Sequence, residues 1–243
     1  MKNSQTQKGN VLFLILIAVA LFAALSYAVT QSSRTGGDSA RETNILNAAQ
    51  LTQYPTSVRT AVLRLIIDGF QDTGLQFNNP ASAVGTDEPF EVFATIGGGA
   101  VFQNAPREMM EVNGVNEEGR WYFNMDFEVE NLGRDVPGSI TGNELIAFLP
   151  GITESVCTRL NLEAGIINSP AALNPELGTD VVDDDNDGSV QKNIEDVATD
   201  YSATTSVVIN NTAEDFTRQT FGCFHNNNGG AEPYVFYSVI LER

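Results

Sequence analysis

The sequence predicts an α+β protein in which a long N-terminal helix, first membrane-spanning and then a stem, packs on an antiparallel β-sheet. Three observations carry that expectation. Val11 to Val29 is an apolar run with no charge, Pro or Gly. Helix-compatible spacing continues to about residue 70. From Phe90 on the pattern shifts toward period-two alternation, clearest over Arg120–Glu130.

The apolar run is 19 residues, VLFLILIAVALFAALSYAV. As a helix it would be roughly 28 Å long, close to the hydrocarbon thickness of a bilayer. Apolar residues occupy every face, so it is not an amphipathic surface helix. Lys2 and Lys8 precede it, and the first 30 residues hold no acid. The chain as a whole has 13 Lys+Arg against 31 Asp+Glu and a formal charge of -18. A basic tip, a greasy span and an acidic body form a membrane-crossing layout. The positive-inside bias keeps the lysines cytoplasmic and places the body outside.

Three readings of this segment are open. One is a plain signal anchor. Another is a cleaved signal peptide, with Ser26-Tyr27-Ala28 as a small-x-small site, although the run exceeds the usual apolar region of about 7–15 residues. The third rests on Lys8-Gly9-Asn10-Val11-Leu12-Phe13-Leu14-Ile15-Leu16-Ile17. This stretch resembles the start of a type IV pilin or type II secretion pseudopilin. Asn10 stands where the family usually has Phe or Met, and Leu14 where it usually has Glu. The resemblance implies a leader cut after Gly9, leaving Asn10 as the first mature residue. It also implies a pilin-like fold and a bacterial structural subunit, not an enzyme. Its partners would be copies of itself or related pilins, with the inner membrane as its station before assembly.

The expected organisation is a basic leader over 1–9, a membrane or filament-core helix over 10–30, a helical stem over 31–72 and a β-rich head over 73–243. Gly36 and Gly37 predict a kink or melted turn, because each costs about 1 kcal/mol inside a helix. Asp38 or Ser39 would cap the next helix, with Glu42 near its third position. Pro55 predicts an interruption, and Thr56 or Ser57 a restart through Val58, Val62, Leu65 and Ile66. Gly69 lies at the end.

In the head, Phe90–Ile96 predicts a strand and Gly97-Gly98-Gly99 a turn. Over Arg120–Glu130, Trp121, Phe123, Met125, Phe127 and Val129 share one predicted face. Tyr122, Asn124, Asp126, Glu128 and Glu130 share a solvated one. Leu145–Leu149 is an apolar element ended by Pro150-Gly151. Thr153 or Ser155 caps a helix over Val156–Ala164 that Gly165 stops. Residues 168–200 are a long polar stretch. Ser206–Ile209, Gln219–Phe221 and Tyr234–Leu241 read as late strands, the last most hydrophobic and central.

Cys157 and Cys223 are the chain's two cysteines. Two cysteines in an extracytoplasmic body point to one disulfide, with two free thiols as the alternative. A 66-residue loop so closed would contribute roughly 4 kcal/mol. Neither belongs to a C-x-x-C motif, which argues against redox catalysis. A disulfide-closed C-terminal region is also what the pilin resemblance implies.

Asp183, Asp185 and Asp187, followed by Gly188, match the D-x-D-x-D-G opening of a calcium loop. Alternate carboxylates converge on one point, and an all-oxygen set suits Ca²⁺. Position twelve is Ile194, so Glu195 or Asp196 would have to complete the shell; a solvated loop without metal is the alternative. The acidic balance excludes ordinary nucleic-acid binding. With one His, a His/Cys zinc centre is unsupported, and His225 reads as a surface residue. Glu117-Glu118 is one of many chance acid pairs. Asn210-Asn211-Thr212 fits a glycosylation sequon. The rival reading is an anchored or secreted acidic protein that binds an extracellular ligand.

Overall fold

A computed structural model describes residues 10–32, 36–78, 88–112, 114, 116–134, 141–170, 207–209, 215–226 and 233–243. The chain divides into two compact units, Met1–Thr43 and Asn44–Arg243. It is a mixed α+β protein with an apolar N-terminal helix and a five-stranded sheet. Helix α1 runs Asn10–Ser32 and α2 runs Gly36–Ile67. Strands β1 (Tyr122–Val129) and β2 (Glu144–Ile152) follow, then α3 (Glu154–Ala164). Strands β3 (Val207–Ile209), β4 (Phe221–His225) and β5 (Tyr234–Leu241) complete the sheet.

Gly36 and Gly37 are the first two residues of α2, not a melted turn. Pro55 does not interrupt the helix either; it lies inside α2 and is buried. A proline costs about 3 kcal/mol in a helix interior. Leu51, Val58, Val62 and Leu65 are each at most 1% exposed, and burying such a side chain contributes about 1.5–3 kcal/mol. Packing of this one stripe therefore outweighs the lost hydrogen bond, and the helix continues.

The strand order is β3-β1-β2-β5-β4. Neighbours pair antiparallel except β1 and β3, which are parallel. The expected all-antiparallel sheet is thus a mixed one. Between β1 and β3 the chain passes through β2 and α3, a connection long enough to allow parallel pairing. The expected central position of the last strand holds, since β5 is flanked by β2 and β4.

Both faces of the sheet are covered. On one, Phe123, Met125, Leu145, Ala147, Leu149, Phe236 and Ile240 join the buried stripe of α2. On the other, Phe127, Ile146, Phe148, Val235, Tyr237 and Val239 pack with Phe216 and Leu132. The single apolar face expected for β1 is therefore split between the two. The register shifts between Asn124 and Phe127, so one extra residue of β1 sits opposite β2. Side chains alternate with period two, and one inserted residue exchanges the faces beyond it. The expected wet face is lost too: Asn124 is 5% and Glu128 1% exposed.

Polar side chains complete the bulge. The Asp126 N–H donates to Asn124 Oδ1 at 2.6 Å, and Asn143 Nδ2 donates to the Met125 carbonyl at 2.9 Å. Phe90–Ile96 is a folded-back coil with one isolated bridge, Gln76 to Glu91, not a strand. The Gly98 N–H bonds the Glu91 carbonyl and the Ala100 N–H the Val92 carbonyl. A Cβ on Gly98 would lie 2.5 Å from the Val92 oxygen, so glycine is required for that approach. Pro150 lies within β2 instead of ending it. It sits beyond the stretch paired with β1, where its missing N–H breaks no ladder bond on that side.

Candidate functional site

The apolar segment is the most distinctive feature outside the core. From Val11 to Val29 every residue is exposed, with large side chains between 40% (Ile17) and 74% (Phe22) accessible. The span holds no charge. Its composition favours an unbroken helix: Leu, Ala, Ile and Phe, with neither Gly nor Pro. It is the one helix among the described residues that is long and apolar enough to cross a membrane. A membrane anchor and a signal sequence both fit that description. Exposed apolar surface on this scale is costly in water and calls for cover. Asn10 is the first residue of α1, while Gly9 lies outside the described residues. Ser26, Tyr27 and Ala28 are helical within α1.

Cys157 and Cys223 form a disulfide between α3 and β4, with Cα atoms 5.4 Å apart. Thr153 and Gly165 bound α3 as expected, Gly165 with a left-handed φ of 83°. Both cysteines are 0% exposed. One helical turn beyond Cys157, Asn161 faces β4. Its Nδ2 donates to the Cys223 carbonyl and its Oδ1 accepts the Cys223 N–H, each at 2.7 Å. The side-chain amide therefore reproduces a strand pairing at this one residue.

Asp183, Asp185, Asp187 and the Asn210–Thr212 sequon lie outside the described residues. Among the described residues, no group of three or more His, Cys, Asp or Glu side chains is placed to hold a metal. His225, expected at the surface, is half-buried at the end of β4, with its ring 4.8 Å from that of Tyr234. Glu117 bonds Arg107 at 2.6 Å and Glu118 is exposed, so the two do not form a shared acid site.

The structure also contains two features that the periodicity did not reveal. Glu144, the first residue of β2, is fully buried. Its Oε2 accepts the Val129 N–H at 2.8 Å, and among the described residues its Oε1 has no hydrogen-bond partner. Burial pushes its carboxyl up to about 8; the Val129 N–H opposes this, and the nearby Glu128 and Glu242 charges reinforce it. The second is a groove of about 500 Å³ between α2 and the segment 101–106. Tyr54 and Trp121 line it with ring centroids 5.1 Å apart. Burial raises the Tyr54 hydroxyl to about 12, partly offset by the Gln103 backbone. The sequence shows one wall only: α2 carries Gln50, Gln53 and Ser57 beside a stripe of apolar residues.

Comparison with known proteins finds no matching family model, no matching characterised protein and no matching solved structure.

Proposed function

We propose that the protein is a pilin-like or pseudopilin-like structural subunit, assembled into an extracellular filament or secretion pseudopilus through α1. The observation that carries this reading is the exposed, charge-free run from Val11 to Val29, which starts one residue after Asn10. A bilayer covers such a helix before assembly, and like helices of neighbouring copies cover it afterwards. The residues Lys8 to Ile17 and the order of helix, then sheet, then disulfide-closed end add support. The role is mechanical: α1 supplies the axis, and the acidic body forms the outer wall.

Mass spectrometry of the N-terminus in cells containing a prepilin peptidase tests the reading. A mature chain beginning at Asn10, lost on Gly9→Leu, is the expected result. A chain beginning near Val29 would establish a secreted protein, and an uncut Met1 a plain anchor; either would overturn it.

A further inference from the structure

A second, smaller recess of about 210 Å³ lies where α2 meets β4 and β5. Thr52, Pro55, Thr56 and Arg59 share one face of α2 and form one wall. Thr220, Phe221 and Ser238 stand opposite, with Phe221 and Ser238 paired across β4 and β5. Two of these residues break the pattern around them. On the α2-facing side of β5, Phe236 and Ile240 are fully buried and apolar, yet the residue between them at period two is Ser238, half-buried. Arg59 is half-buried as well, and among the described residues it pairs with no carboxylate. Arg107, Arg159 and Arg243 each hold one. In a chain with 31 acids to 13 bases, a half-buried guanidinium without a counter-ion is an exception. Its partial desolvation is uncompensated until an anion arrives.

The hydrogen-bond inventory restricts the ligand. The two hydroxyls on α2 are already committed as donors, Thr52 to the Ala48 carbonyl at 3.2 Å and Thr56 to the Thr52 carbonyl at 3.0 Å. Among the described residues, the side chains of Arg59, Thr220 and Ser238 have no acceptor. The recess therefore offers a guanidinium and two hydroxyl donors, and no acid lines it. That set suits an oxyanion and repels a cation. One positive charge balances one negative charge, and a dianion would carry its excess into the field of a chain at -18. The planar fork of Arg59 matches the two coplanar oxygens of a carboxylate. Pro55 and Phe221 offer apolar surface to the carbon chain behind it. The volume lies below the roughly 300–1,000 Å³ of sites for drug-sized ligands, so that chain must be short. We propose that this recess binds a short-chain monocarboxylate. The proposal is independent of filament assembly and holds equally for an anchored protein.

Three threonines line the recess, so their methyl groups report on it. The full-length protein, deuterated and carbon-13 labelled at threonine methyls, would be placed in phosphatidylcholine nanodiscs. Butyrate would be titrated at constant ionic strength, with chloride as the exchanged anion. Saturable shifts of the Thr52, Thr56 and Thr220 methyls are expected, with a Kd in the millimolar range. Thr153, which is outside the lining, should not move. Arg59→Gln should weaken binding at least about tenfold, the loss of a charge-assisted hydrogen bond, with an unchanged melting temperature. Ser238→Ala should weaken it about fivefold through one neutral hydrogen bond, and it serves as the second variant should Arg59→Gln melt early. Methyls that stay in place throughout the titration overturn the proposal. So does binding that both variants leave intact. Inorganic phosphate that binds as tightly as butyrate would also overturn it, since the recess would then be an unselective anion site.

Discussion

Glu144 illustrates what one residue adds beyond its sequence pattern. Its carboxyl is raised to about 8 in the folded protein, while in the unfolded chain it ionises near the ordinary value of 4.5. Between those two values the folded state holds the extra proton, so stability falls as pH rises, by up to about 1.4 kcal/mol per unit. Above about pH 8 the dependence ends. Glu144→Gln retains an acceptor for the Val129 N–H and cannot ionise. Urea melts from pH 5 to 8 should show the slope in the natural chain and a flatter, more stable variant near pH 8. An identical slope in both would remove Glu144 as its source. None of this was legible beforehand. A Glu ahead of Leu145–Leu149 looks like a strand boundary, and its burial follows from the β1 bulge and from Gly133, whose absent side chain leaves room beside Oε1.

At the scale of elements, helices and strands were legible where packing agreed with periodicity. Helix α3, its Thr153 and Gly165 ends, and the last strand emerge at the expected places. The misses have local causes. Pro55 was overridden by the buried stripe of α2, and the two faces of β1 were exchanged by a single inserted residue. Phe90–Ile96 fails as a strand because glycines let the chain bond back to itself. The disulfide belongs to this scale, since it fastens α3 to β4. Cys157→Ala with Cys223→Ala should cost up to about 4 kcal/mol in urea unfolding. Because both sulfurs are buried, reductant should act on the natural protein slowly until denaturant opens the head. An unchanged urea midpoint in the double variant would mean that Asn161 and the core hold α3 unaided.

For the whole molecule, charge arithmetic proved most informative. The split between a basic tip and an acidic remainder predicted a membrane-crossing layout, and α1 is long and apolar enough to cross a membrane or to be a signal sequence. The candidate site was legible to that extent. The groove was hidden because its walls come from residues about 50 positions apart, and sequence spacing cannot join them. Calcium belongs here as well, since a bound ion would offset part of the body's charge. The D-x-D-x-D-G spacing would place it on Asp183, Asp185 and Asp187. Isothermal titration of the full chain in nanodiscs should show Ca²⁺ binding in the millimolar range or tighter. Asp183→Asn with Asp185→Asn should abolish it; a heatless titration, or one that the double variant reproduces, would leave only a solvated loop.

The amide of Asn161 has a consequence for assembly. Among the described residues strand β4 ends the sheet, and an open end is a template onto which another chain can add. At Cys223 the outward-facing N–H and carbonyl are already engaged, by a side chain fastened one helical turn from a disulfide. A stranger strand would have to displace two short hydrogen bonds and a covalently tethered helix to dock there. The head is thus guarded against amyloid-like growth at this margin.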